Sequence, residues 1–212
     1  MKIHGFFKVL VVFLGINSAY AHPVSFAGST SIMTWASSNS TDWMLTHSFT
    51  PRAALSYHFM RMREHNNPKH EDKFHLLTGN FLLKRWNELE SQGNIYFSLG
   101  AGEEVKKKAV GFAAIDLDWE SRDYYVSYKT ETIVRQDGKK QMIRSKARAG
   151  FAPYRGGFEE LNTWIIAEVE KSSGSDKEYD LTPLVRFYYK NILTETGVSL
   201  NGEYKFHFMV HF

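Results

Sequence analysis

The sequence predicts an all-β chain closed into an antiparallel transmembrane β-barrel of twelve strands, or ten if one of two hairpins is lost. Three observations predict it. Apolar and charged residues alternate with a period of two through segment after segment. Aromatic residues make up 15% of the 212 residues while cysteine is absent, and only five are proline. Beyond residue 21 no uninterrupted apolar stretch approaches the roughly twenty residues that a spanning helix needs. A soluble exported β-sandwich is the competing fold, since it too alternates with one face in water.

Residues 1–21 read as a secretory signal. Lys2 and Lys8 supply positive charge, Phe6 to Ile16 is mainly apolar, and Ala19-Tyr20-Ala21 is a small-x-small cleavage site. Removing this segment takes away two lysines and no acids, so the formal charge falls from +3 to +1. That near-neutral balance argues against a nucleic-acid partner. The absence of cysteine excludes a disulfide framework and a lipid-anchored cysteine after the signal. Residues 22–212 show no internal repeat and no low-complexity linker, which gives one domain.

Strand one is expected at about 24–36, followed by the polar Ser37 to Ser40, and strand two at about 42–50. Thr50-Pro51-Arg52 turns into strand three, about 53–63, and a polar loop leads to strand four, about 73–86. Strands five and six fall near 93–101 and 109–119, with a charged loop between them. Strands seven and eight, about 124–135 and 141–151, are joined by Gln136-Asp137-Gly138-Lys139. A longer turn, Pro153 to Glu160, precedes strand nine at about 162–171, and a polar loop containing Gly174 precedes strand ten at about 179–190. Strand eleven is a short piece near 195–200; it and the split at Pro51 are what separate twelve strands from ten. With both termini on the periplasmic side, twelve strands give six outer loops and five inner turns.

Asn201-Gly202 is a tight-turn signal, and strand twelve then ends the chain. There Phe206, Phe208, Val210 and Phe212 share one face, while Lys205, His207, Met209 and His211 share the other. This ending resembles the C-terminal signature of Gram-negative outer-membrane β-barrels, a terminal Phe preceded by alternating aromatic or aliphatic positions. The resemblance implies residence in a Gram-negative outer membrane, with lipid as partner of the apolar face. Trp43, Trp86, Trp119, Tyr124, Tyr189 and Tyr204 sit near strand ends, where interfacial girdles belong.

The charged face of such a barrel would line its lumen with Asp116, Asp118, Glu131, Glu168 and Glu170. Facing them would be Lys84, Lys129, Arg144, Lys146, Arg148, Arg186, Lys190 and Lys205. Opposite charges in a narrow tube should pair. Such walls suit a narrow conduit or binding site for a small solute. They equally suit a structural or surface-interaction barrel with a filled lumen.

A transition-metal version of the conduit rests on His22, Met209 and His211. Cleavage after Ala21 would give His22 a free amine, which with its imidazole looks like the copper-binding histidine brace of secreted copper proteins. Barrel closure would set Met209 and His211 beside it, and imidazole with thioether favours copper. His58, Met60, Met62, His65, His70 and His75 form a second group, without the spacing of a zinc motif. A lipid-modifying enzyme is the third reading. His47 and Ser48 are adjacent, but neighbouring strand residues point to opposite faces. The sequence holds no Gly-x-Ser-x-Gly, phosphate loop or dinucleotide fingerprint.

Overall fold

A computed structural model describes residues 22–64, 67–105, 108–136, 141–173 and 178–212. The expected signal 1–21, the tip of the Asp137-Gly138 hairpin, His65 and Gly174 lie outside the described residues, as does the side chain of His70. The described chain is all-β. In order, the strands are β1 (Thr30–Ser37), β2 (Ser40–Thr50), β3 (Ala53–Glu64), β4 (Asn67–Asn87), β5 (Ser91–Glu104) and β6 (Lys108–Ser121). They continue as β7 (Tyr124–Arg135), β8 (Met142–Phe151), β9 (Asn162–Ser172), β10 (Asp180–Tyr189), β11 (Ile192–Val198) and β12 (Tyr204–His211). Each pairs antiparallel with its sequence neighbours, and β1 pairs with β12 from Ser31↔His211 to Ser37↔Lys205, so the sheet closes into a barrel. Closure leaves no strand edge unpaired. Thr30 and Phe212 exchange both backbone hydrogen bonds, at 3.1 and 2.8 Å.

The outside is an apolar belt. Leu45, Leu55, Leu77, Phe81, Leu99, Ile115, Val126, Ile165, Val185 and Phe206 are all exposed, while their strand neighbours are buried or half-buried. In water such a surface would be unstable; against hydrocarbon it is the expected one. Trp86, Tyr124 and Tyr189 stand on this surface toward the rim that carries Thr30 and Phe212, hereafter the near rim, and Trp43 and Tyr204 toward the far rim. β4 is 21 residues long, about twice what a tilted strand needs to cross hydrocarbon. Its far part faces outward with Glu71 and Lys73, and Glu71 accepts from Arg63 at 3.0 Å.

Three local features depart from the sequence expectations, and a fourth was not anticipated by them. β1 begins at Thr30 rather than near residue 24, because the chain turns at Gly28, whose φ of 84° is left-handed and suits glycine. Residues ahead of that turn enter the barrel. β11 runs from Ile192 because Lys190 and Asn191 make a tight turn, Lys190 itself adopting φ 55°. Lys190 therefore leaves the strand and does not line the lumen; its Nζ meets the exposed Glu159 at 3.1 Å on the near rim. The third is a register shift between Leu82 and Lys84, a β-bulge that moves every later residue of β4 to the other face. Lys84 consequently lies outside, over the Trp86 ring, and Arg85 points inward. The fourth is the close approach of strands at Gly102 and Gly197, where a Cβ would fall 1.9 Å from the His75 carbonyl oxygen and 2.1 Å from that of Pro183.

The near-rim connection 152–161 is held by a bidentate pair. Arg155 donates Nε–H to Asp123 Oδ1 at 2.6 Å and a second N–H to Oδ2. The hydrogen bonds from Arg155 hold the exposed Asp123 carboxyl below its ordinary value. A depressed carboxylate contributes above its unfolded pKa of about 3.9, and the contribution disappears as pH falls through the folded value. The exposed pair acts locally. Limited proteolysis should therefore cut 152–161 faster below about pH 4, and Asp123→Asn should give that faster cutting already at neutral pH.

Candidate functional site

The candidate site is the lumen, built from the inward positions of all twelve strands. Its charges do not pair only with their nearest neighbours; they cross the barrel. Arg144 on β8 donates Nε–H to Glu131 Oε1 on β7 at 2.6 Å and a terminal N–H to Asp42 Oδ2 on β2. In a closed order of twelve, β2 and β8 are six strands apart in either direction, so this pair spans the diameter. Lys129 on β7 does the same toward β1, its Nζ 5.6 Å from the centroid of the Trp35 ring while also pairing with Glu131 at 3.1 Å.

A second network runs along the wall from β8 to β12. Arg148 donates to Glu168 at 2.7 Å and to Glu195 at 3.0 Å. Arg186 donates to Glu195 at 2.6 Å and rests on the Tyr125 ring at 4.4 Å. His207 Nδ1 is 3.1 Å from Glu195, and Lys205 lies within 3.0 Å of Glu168, Glu170 and Asp180. Lys146 meets Glu170 at 3.5 Å. Toward the far rim Arg135 joins Asp72 at 2.7 Å and Glu104 at 3.0 Å. Ion pairs at this depth hold only if geometry repays desolvation, and each cation of these networks meets one or more carboxylates.

Apolar side chains fill much of what remains. Met60, Phe74, Leu76, Val110, Phe112, Ala114 and Ile133 pack together on the β3–β7 side. Met33, Met44, Leu193 and Met209 form a smaller cluster on β1, β2, β11 and β12. Between these clusters and the charged wall lies a cavity of about 110 Å³. Five carboxylates (Asp42, Asp116, Asp118, Glu120, Glu131) and five cations (Lys129, Arg144, Lys146, Arg148, Arg186) line it, with His22, His58 and His207. Glu168, Glu170 and Lys205 border a smaller void of about 30 Å³ with Ser37 and Ser40. A space of this size holds several waters or one small solute.

The segment ahead of β1 packs against the inner wall at the near end. Val24 is 2% exposed and packs with Ala54, Leu82 and Tyr96. The His22 ring stacks on Tyr96 at 5.0 Å, and its Nδ1 lies 3.3 Å from Asp118 Oδ2. Ser25 N donates to Ser48 Oγ at 3.0 Å.

The expected metal ligands have separate partners. His22 turns to the wall of β5 and β6, whereas His211 and Met209 stay on β12, His211 Nδ1 2.5 Å from Ser31 Oγ and Met209 inside an apolar cluster. Among the described residues no three His, Cys, Asp or Glu side chains converge on a metal position. In the second group, His58, Met60 and Met62 turn inward, but His75 is outside with its Nδ1 2.5 Å from Tyr57 Oη. Of the adjacent pair His47 and Ser48, Ser48 is buried and takes the Ser25 N–H, while His47 Nδ1 meets Thr30 Oγ1 at 3.0 Å.

Sequence reasoning missed Asp42, Arg85 and Glu195. Asp42 carried a usable signal, since it alternates with Trp43 and Leu45, both exposed. Glu195 was hidden by the shifted start of β11, and Arg85 by the bulge.

No protein-family model matches the chain, and neither does any curated protein. Among solved structures it aligns with a KdgM porin in complex with disordered oligogalacturonate, at 12% identity and TM-score 0.51, covering 87% of this chain and 98% of that one. A second KdgM porin structure aligns over the same shares at 12% identity and TM-score 0.49. The fold is similar to that of the KdgM porin. At this identity the likeness concerns the fold alone.

Proposed function

We propose that this chain is an integral outer-membrane β-barrel, exported with residues 1–21 as its signal, that serves as a narrow conduit for small polar solutes. The observation that carries this is the pairing of an apolar exterior with a charged, hydrogen-bonding lumen that retains a cavity. A barrel needing only an internal core would be filled more simply by apolar side chains. The similar porin was solved with an oligogalacturonate, a polyanion. Here each of the five cations of the cavity is already paired with a carboxylate, three of them with Glu168, Glu170 or Glu195. Cations already engaged by carboxylates favour neutral or zwitterionic solutes over acidic chains.

In planar bilayers the refolded protein should give small conductance steps with little ion preference, and Asp42→Ala should enlarge them by freeing one end of the Arg144 bridge. Anion over cation permeability above about fivefold would sink the charge-balanced conduit. Silence from both proteins would favour a structural barrel, which the apolar clusters inside the lumen also support.

A further inference from the structure

The lumen cavity contains a concentrated set of unanswered hydrogen-bonding atoms. Asp42 Oδ1, His58 Nε2, Thr78 Oγ1 and His207 Nε2 are buried without a hydrogen-bond partner among the described residues. Their residues are 2%, 4%, 1% and 4% exposed, and all four line the cavity of about 110 Å³. They come from β2, β3, β4 and β12, and Trp35 on the intervening β1 completes the wall, its ring stacked on His207 at 4.8 Å and 12°. Asp42 Oδ2 is fixed by Arg144 and His207 Nδ1 by Glu195, so it is the remaining atom of each that is left for the cavity.

Buried polar atoms are rarely left unpaired, and a polar cavity of this size is filled. The donor set restricts what fills it. Asp42 Oδ1 accepts a hydrogen bond; Thr78 can donate or accept, and each imidazole nitrogen does one or the other according to its tautomer. An anion would meet the Asp42 carboxylate on this wall, while the cations across the lumen are already paired with carboxylates. Hydroxyl groups both donate and accept, so a ligand carrying several of them matches this mixed set of donors and acceptors. A cavity of about 150 Å³ admits a ligand of six heavy atoms such as benzene, so glycerol is of comparable size.

We propose that this wall is a binding site for a small neutral polyol, formed by Asp42, His58, Thr78 and His207 beside Trp35. The site deepens the small-solute conduit and rests on it for its physiological meaning, but not for its detection.

The test uses the full barrel refolded in detergent micelles, with ligand-observed NMR of glycerol, and acetate and glycine as comparison probes. Glycerol should bind saturably and more tightly than either. The nearly isosteric Thr78→Val and the separate His58→Phe should each weaken it by about tenfold, while the heat-shifted gel band shows that the barrel still forms. Glycerol signals that do not saturate, or that are equal in wild type and both variants, would mean that only water fills the cavity and would overturn the site. Preferred binding of acetate or glycine would overturn its polyol chemistry. Glycerol-driven swelling of proteoliposomes separates the two proposals. Binding without swelling removes the conduit and keeps the site, and swelling without saturable binding does the reverse.

Discussion

Arg144→Ala is expected to destabilise the folded barrel by about 3–5 kcal/mol, the range for removing one partner of a buried ion pair. The side chain is 8% exposed, and the side chains of its partners Asp42 and Glu131 are 3% and 5% exposed. Without the guanidinium, Glu131 retains Lys129, but Asp42 becomes a carboxylate on the opposite wall with no cation described against it. The loss should be read as a lowered midpoint in denaturant titrations of the reconstituted protein. Asp42→Asn combined with Arg144→Gln should recover part of the loss, because neutral amides can still bond across the lumen. If the double variant is as unstable as the sum of the single ones, the diameter-spanning contact contributes no coupling.

Glu195→Ala should cost a similar amount, about 3–5 kcal/mol. Glu195 is 1% exposed and is the shared acceptor of Arg148, Arg186 and His207. Arg148 keeps Glu168, but Arg186 is left with the face of Tyr125, and a cation–π contact is worth less than a buried ion pair. Glu195→Gln keeps the shape and one acceptor, so it should fall between wild type and Ala. Equal midpoints for Glu195→Gln and Glu195→Ala would mean that the acceptor geometry of this position contributes nothing.

The barrel was legible because period-two alternation survives wherever a strand is regular. Tyr124, Val126 and Tyr128 against Lys129 and Glu131 settle the faces of β7 without any tertiary knowledge. Both doubtful hairpins exist, at Pro51-Arg52 and at Asn201-Gly202, so the count is twelve. Alternation fails wherever one residue breaks the period. The bulge at Leu82 to Lys84 exchanged the faces of Lys84 and Arg85, and a left-handed Lys190 carried that residue off the wall. Neither event has a glycine or proline to announce it. The partners across the lumen were illegible for a different reason. That Arg144 reaches Asp42 depends on barrel diameter and stagger, which belong to the closed sheet and to no short window of sequence. The same holds for His22, whose position follows from the turn at Gly28.

Closure at Thr30 and Phe212 has a kinetic consequence. Eleven of the twelve ladders join strands that follow each other in the chain, whereas the twelfth brings Ser31 to His211 across a separation of 180 residues. Loop entropy grows with the logarithm of length, so this ladder costs about 3 kcal/mol more to initiate than a hairpin. Assembly should thus proceed as a meander that zips shut last. Arg144 meets Asp42 across 102 residues, and the two walls face each other only as the seam closes. The interior charges then neutralise one another in the same event that removes the two open edges, so a half-zipped sheet is a transient rather than a resting state.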